Sequence, residues 1–121
     1  MGFTWVNNDI ATPSVTIYDS NFTLNKTACR FFEDTKYVLL GIDENLDQLA
    51  IKPITKEEKE LGIFPEEAIH KISVGKSYGR ISNKQFIANI SDKYNLDFEE
   101  QKSYKYDVRY DEKQKLLIIQ L

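Results

Sequence analysis

Apolar and polar positions alternate along several short stretches of the chain and fall at helical spacing in two others. Val15-Thr16-Ile17-Tyr18 alternates as a half-buried strand, and Asp19-Ser20-Asn21 reads as the turn after it. Phe22-Thr23-Leu24 predicts a second short strand. Asn25 is suited to cap a helix of about two turns from Lys26 to Phe32, with Ala28, Cys29 and Phe32 inward. Tyr37 to Asp43 and Leu49 to Pro53 then predict a hairpin. Val38, Leu40 and Ile42 share one face of it, and Leu49 and Ile51 return on the partner strand.

Residues 55–70 break this rhythm. Lys56-Glu57-Glu58-Lys59-Glu60 is a charge-dense run closed by Gly62, with Thr55 fitted to cap a short helix, and the stretch reads as a linker. Beyond it the pattern returns. Val15-Thr16-Ile17 falls on Ile72-Ser73-Val74 at an offset of 57 residues, and Ser20, Thr23 and Leu24 fall on Ser77, Arg80 and Ile81. The pair Asn25-Lys26 recurs one residue later as Asn83-Lys84. A longer helix is predicted from Asn83 to Tyr94, with Ser82 and Gln85 as a capping box and Phe86, Ile87, Ile90 and Tyr94 as its inward stripe. Tyr106, Val108 and Tyr110 match Val38, Leu40 and Ile42 at an offset of 68, and Leu117 and Ile119 match Leu49 and Ile51.

The expectation is an α+β, mainly β protein in which strand–strand–helix–hairpin occurs twice. It divides into an N-terminal arm (1–13), a first half (14–54), the charged linker (55–70) and a second half (71–121). Halves of this size bury their apolar faces poorly alone, so both are expected to share one core about a pseudo-twofold axis. In the arm, Trp5 is expected to pack on the core or against another subunit.

Composition narrows the function classes. The 121 residues are 41% apolar and 29% charged, as in ordinary soluble proteins, and seven Tyr and seven Phe favour strands. A net charge of −3 argues mildly against a dedicated nucleic-acid binder. Cys29 is the only cysteine, which excludes an internal disulfide and points to a reducing, cytoplasmic setting. No signal-peptide pattern and no apolar run long enough for a membrane span is visible.

Candidate chemistry is sparse. Residues 71–84 carry Lys71, Lys76, Arg80 and Lys84 and no acidic residue, a local basic island on an acidic chain. Such side chains at a β-turn and a helix start can meet phosphates, and Arg80 can reach a guanine edge. Ordinary solubilising charge is the competing reading. Gly75-Lys76-Ser77 looks like the end of a phosphate-binding loop, but His70 stands where that loop needs glycine and a strand follows where it needs a helix. His70 and Cys29 are each alone, so neither a zinc site nor a Cys/His nucleophile pair is supported. The Glu pairs at 57–58, 66–67 and 99–100 read as solvation. No catalytic residue, metal or cofactor is expected, and the chain is not expected to be an enzyme.

Gly79-Arg80-Ile81, followed by the basic Lys84 at a helix start, resembles the Gly-Arg-Ile strand and Pro-Lys helix opening of the AbrB/MazE/SpoVT swapped-hairpin family. Tyr37-Val38-Leu39-Leu40 with Leu49-Ala50-Ile51-Lys52-Pro53 resembles that family's closing hairpin. Asn25 and Asn83 replace its proline, and Phe22-Thr23 replaces Gly-Arg in the first copy. The chain is also similar to small proteins of Firmicute phages and mobile elements. The resemblance covers most of residues 14–54 and 71–121. It implies a single-chain, internally duplicated AbrB-like barrel, monomeric or homodimeric. It also implies a transcriptional regulator that contacts double-stranded DNA through Lys76, Arg80, Lys84, Lys26 and Arg30. The alternative is a protein-binding module of antitoxin or inhibitor type, suited to a basic partner by its acidic charge and Glu-rich linker.

Overall fold

The computed structural model describes residues 12–121. Its first elements follow the period-two pattern. Ser14–Ile17 (β1) and Asn21–Asn25 (β2) form a hairpin in which Val15, Ile17, Phe22 and Leu24 are buried. Lys26–Cys29 (α1) continues as a 3-10 turn over Arg30–Phe32, so the expected two-turn helix is one α-helical turn that tightens. Tyr37–Asp43 (β3) and Gln48–Ile54 (β4) pair as the expected hairpin, Leu40 opposite Ile51 and Ile42 opposite Leu49.

Thr55 caps Lys56–Glu60 (α2) with a full capping box: its hydroxyl accepts the Glu58 N–H, and the Glu58 carboxylate accepts the Thr55 N–H. A 3-10 turn over Glu66–Ala68 leads into Ile69–Lys71 (β5), which pairs with β3. The end of the expected linker is therefore strand. Ile72 separates β5 from Ser73–Val74 (β6), its N–H bonded to the Lys36 carbonyl, so the strand expected at 72–74 begins only at Ser73.

Tyr78–Ser82 (β7) alternates exposed and buried, with Gly79 and Ile81 inward. Lys84–Tyr94 (α3) buries Ile87 and Ile90 and ends at Asn95 in the left-handed conformation (φ 56°). Its cap is Asn83, whose Oδ1 accepts the Phe86 N–H at 3.0 Å, and not the expected Ser82 box. One residue decides this, because Ser82 is still strand, opposite Asn21. Tyr104–Asp111 (β8) and Leu116–Gln120 (β9) form the last hairpin.

Every pairing is antiparallel, and the nine strands of the described residues run in the order β5-β3-β4-β9-β8-β1-β2-β7-β6. Because Ile72 alone separates the two end strands in sequence, the chain itself bridges the sheet into a nearly closed barrel. Phe22, Phe32, Leu24, Leu49, Ile51, Ile81, Ile87, Leu117 and Ile119 fill it, each contributing about 1.5–3 kcal/mol by burial. Phe22 meets Phe86 of α3 at 5.9 Å between ring centroids. Of the expected N-terminal arm, Pro13 continues the β1–β8 ladder through its carbonyl, which accepts the Val108 N–H at 3.0 Å. Trp5 lies outside the described residues.

Candidate nucleic-acid interface

The predicted basic residues gather around the ladder between β2 and β7. Alternation turns Phe22, Leu24, Gly79 and Ile81 into the barrel and leaves Asn21, Thr23, Asn25, Tyr78, Arg80 and Ser82 outside. Thr23 stands directly opposite Arg80, flanked by Asn21–Ser82 and Asn25–Tyr78. Thr23 also pairs with Thr16, Thr16 with Lys105, and Arg80 with Ser73. A single outward row, Lys105–Thr16–Thr23–Arg80–Ser73, thus crosses five strands.

Arg80 and Tyr78 form a ridge between two shallow grooves. Tyr18, Asn21 and Thr23 line one side, and Ser73, Val74 and Gly75 the other. Among the described residues no carboxylate lines either groove. Tyr18 and Tyr78 are 38% and 50% exposed, large aromatic surfaces left outside the core beside an arginine. Thr23 Oγ1 donates to Asn21 Oδ1 at 2.9 Å, which fixes both side chains on this face.

The other predicted residues take distinct places. Lys76 sits in the turn closed by the Gly75 N–H on the Tyr78 carbonyl (2.8 Å). The matching turn between β1 and β2, closed by the Tyr18 N–H on the Asn21 carbonyl (2.8 Å), carries Asp19. Lys26 opens α1 and Lys84 opens α3. Antiparallel pairing sends them to opposite ends of the β2–β7 ladder, Lys26 beyond the Asn25–Tyr78 end and Lys84 beyond Asn21–Ser82. Arg30 is exposed after α1 and stands outside the cross-strand row. Among the described residues the ion pairs are Lys56–Glu60 and Lys93–Glu44, so the five predicted basic side chains carry none.

The starts of α1 and α3 are each anchored by an asparagine. Asn25 Oδ1 accepts the Ala28 N–H (2.9 Å) and the Ser14 N–H (3.1 Å), and its Nδ2 donates to the Thr12 carbonyl (3.0 Å). Asn83 Nδ2 meets the His70 ring at Nδ1, 3.2 Å away. Gly79 makes room for α1: a Cβ there would stand 3.1 Å from Cys29 Sγ. Cys29 is buried, its thiol lies 3.7 Å from the Leu24 carbonyl, and burial raises its pKa.

The sequence reading missed Tyr18, Tyr78 and Lys105 as members of this face. Tyr18 and Tyr78 carry a usable signal, since each occupies an outward phase of a period-two pattern. Lys105 has none, because its place depends on which strand β1 pairs with. A larger cleft, about 850 Å³, lies elsewhere and includes none of the predicted residues. Phe31 and Tyr110 wall it, stacked at 4.3 Å, and its four lysines are interspersed with Glu33, Asp34 and Glu58. That mixture of charge singles out no ligand. Among the described residues no cluster of three or more His, Cys, Asp or Glu side chains could hold a metal ion, and no helix is long and apolar enough to cross a membrane.

Comparison of the chain with protein-family models, with curated proteins and with solved structures gives no match.

Proposed function

We propose that the chain is an internally duplicated, single-chain barrel of AbrB-like type that binds double-stranded DNA through the outer face of β2 and β7, as a small transcriptional regulator. The observation that carries this reading is the register of that ladder. At an offset of 57 residues the pair Thr23–Arg80 maps onto itself, and Phe22–Ile81 maps onto Gly79–Leu24. At an offset of 68, Ala50–Ile118 maps onto itself and Leu49–Ile119 onto Leu117–Ile51. Those are the pairings a twofold axis between two copies requires.

Local hydrogen bonds support the same correspondence. The turns at Tyr18–Asn21 and Gly75–Tyr78 share one closing bond, and Asp43 and Asp111 each accept the N–H groups two and three residues on. Asn25 and Asn83 cap their helices through the same atom. One ladder departs: the four β1–β8 pairs have no counterpart, since Ser14–Asp107 would map onto Lys71–Leu39 whereas Lys71 pairs with Tyr37, a shift that accompanies the break between β5 and β6 at Ile72.

On this reading Arg80 lies at the axis, with Lys26 and Lys84 at either end of the ladder and Lys76 in one turn. A duplex backbone would meet the lysines, and Arg80 would reach into a groove. The test is fluorescence anisotropy with a random-sequence duplex across a salt series. Binding is expected to fall steeply with salt, and Arg80→Ala should flatten the log–log slope by about one charge. Absence of binding at low salt, or a slope unchanged by Arg80→Ala together with Lys84→Ala, rejects the reading.

A second reading, a protein-binding module, is favoured by one observation. Leu61 and Ile63 are 74% and 58% exposed beyond α2, in a stretch where Glu57, Glu58, Glu60, Glu66 and Glu67 outnumber Lys56 and Lys59. An apolar tip with an acidic surround suits a basic protein. Recovery of one stoichiometric partner that Leu61→Ser with Ile63→Ser abolishes would support it.

A further inference from the structure

The two capping asparagines do the same work with different partners, and only one partner titrates. In both halves the side-chain oxygen holds the first turn of the helix while the amide nitrogen reaches back to the preceding strand segment. Asn25 reaches the Thr12 carbonyl and Asn83 reaches His70 Nδ1. Because Asn83 Oδ1 is committed to the Phe86 N–H, the group facing His70 is the NH₂, a donor only. His70 Nδ1 must therefore accept, which requires the imidazole to be neutral with its proton on Nε2.

We propose that His70 and Asn83 form a proton-sensitive latch that holds the start of α3 at neutral pH and releases it on acidification. Protonation puts an N–H on Nδ1 against the Asn83 NH₂, two donors face to face. To keep a bond to the ring the amide must flip, turning its oxygen to the new Nδ1–H and giving up the Phe86 N–H. The first-half cap has no such failure mode, since a backbone carbonyl accepts at every pH.

The surroundings favour the neutral ring. Across the strand from His70 stands Val38, and Ile69 and Lys71 flank it in β5. Tyr37 lies opposite Lys71, Lys84 follows Asn83, and β7, which also packs on β5, carries Tyr78 and Arg80. None of these supplies a negative charge. His70 is held below the ordinary imidazole value of 6.5, with burial as the cause. For a histidine lowered in the folded state, the unfolded chain binds the proton more readily. Stability from this group is thus full above about 6.5 and is lost as pH falls below it.

The chain has one histidine, so its imidazole signal is unambiguous. The experiment is an NMR titration of the His70 ring, with amide exchange at Phe86 and Ala28 expressed as protection factors, from about pH 7.5 to about pH 5. The expected result is a His70 pKa below 6.5 and a roughly fivefold loss of Phe86 protection on protonation, the size of a lost cap, with Ala28 unmoved relative to it. His70→Gln keeps an acceptor that does not titrate and should abolish the pH dependence. Parallel behaviour of Phe86 and Ala28, a His70 pKa at or above the ordinary value, or a pH dependence that survives in His70→Gln would each overturn the proposal. The wild-type titration decides the matter if the variant does not fold. What the latch would control, the seating of Lys84 at the Ser82 end of the ladder, rests on the DNA reading. The exchange measurement does not, so the two can fail separately.

Discussion

Thr23 and Arg80 face each other at the middle of the β2–β7 ladder, one on each half of the chain. The face is therefore asymmetric in charge across this pair, with an arginine on one strand and a hydroxyl on the other. Thr23→Arg would give the first half the side chain that the second carries. Two like charges directly opposite repel, so a small loss of stability in the free protein is expected. In the presence of duplex the same change should strengthen binding at low salt and steepen the salt dependence by about 0.9 in log–log slope for each phosphate neutralised. Anisotropy titrations of Thr23→Arg and the wild type at several salt concentrations check this, and equal slopes would show that the ladder does not face DNA.

Gly79 serves packing before it serves any ligand. A side chain there would meet Cys29 Sγ at 3.1 Å inside the barrel, and Cys29 has little room to retreat because it is buried. Gly79→Ala is expected to cost about 1–3 kcal/mol by overpacking, and Gly79→Val more. Cys29→Ala removes the atom that is met. The double variant Gly79→Ala, Cys29→Ala should therefore lose less than the sum of the singles, a coupling of roughly 0.5–3 kcal/mol in denaturant melts.

The parts of this fold legible in the sequence are those set by local alternation. Val15-Thr16-Ile17, Phe22-Thr23-Leu24 and Val38 to Ile42 declare strands because their neighbours on each face repeat every second residue. Asn25 declares a cap because its side chain serves the turn that follows it directly. Partnership between distant strands is not local. Nothing in Thr16 or Lys105 announces that they stand side by side, and β5 is hidden because Ile69-His70-Lys71 is too short to show alternation. The Ser82 capping box failed for the same reason, since the ladder to Asn21 keeps Ser82 in the strand. Within the site, Arg80 and Lys84 were visible as charge. The tyrosines beside them were legible only through the phase of their strands, since an outward aromatic reads like a core residue until that phase is followed.

The caps give a graded stability test. Asn83→Ala removes one acceptor for α3 and is expected to cost about 1 kcal/mol. Asn25→Ala removes an acceptor shared by the Ala28 and Ser14 N–H groups and the donor to Thr12, and Ser14 is itself buried. Its cost should reach about 2 kcal/mol, since a buried N–H would be left without a partner. Urea unfolding of both variants at neutral pH orders them, and the reverse order would mean that β1, β2 and α1 contribute less to the core than their buried residues indicate.

Cys29 reports on the opening of that core. Its thiol lies under β7 against the Leu24 carbonyl, and burial raises its pKa above the ordinary thiol value of 9.0. Both inaccessibility and the small thiolate fraction oppose reaction in the closed state. Labelling by a thiol reagent at about pH 8 should therefore proceed through local or global opening, at a rate set by the population of the open form. The prediction is native labelling slower than that of the urea-unfolded chain by orders of magnitude, and accelerated in Asn25→Ala by the factor its loss of stability implies. Fast labelling of the native protein, insensitive to Asn25→Ala, would mean that the α1–β7 contact opens independently of the barrel, and Gly79 would then tolerate a side chain.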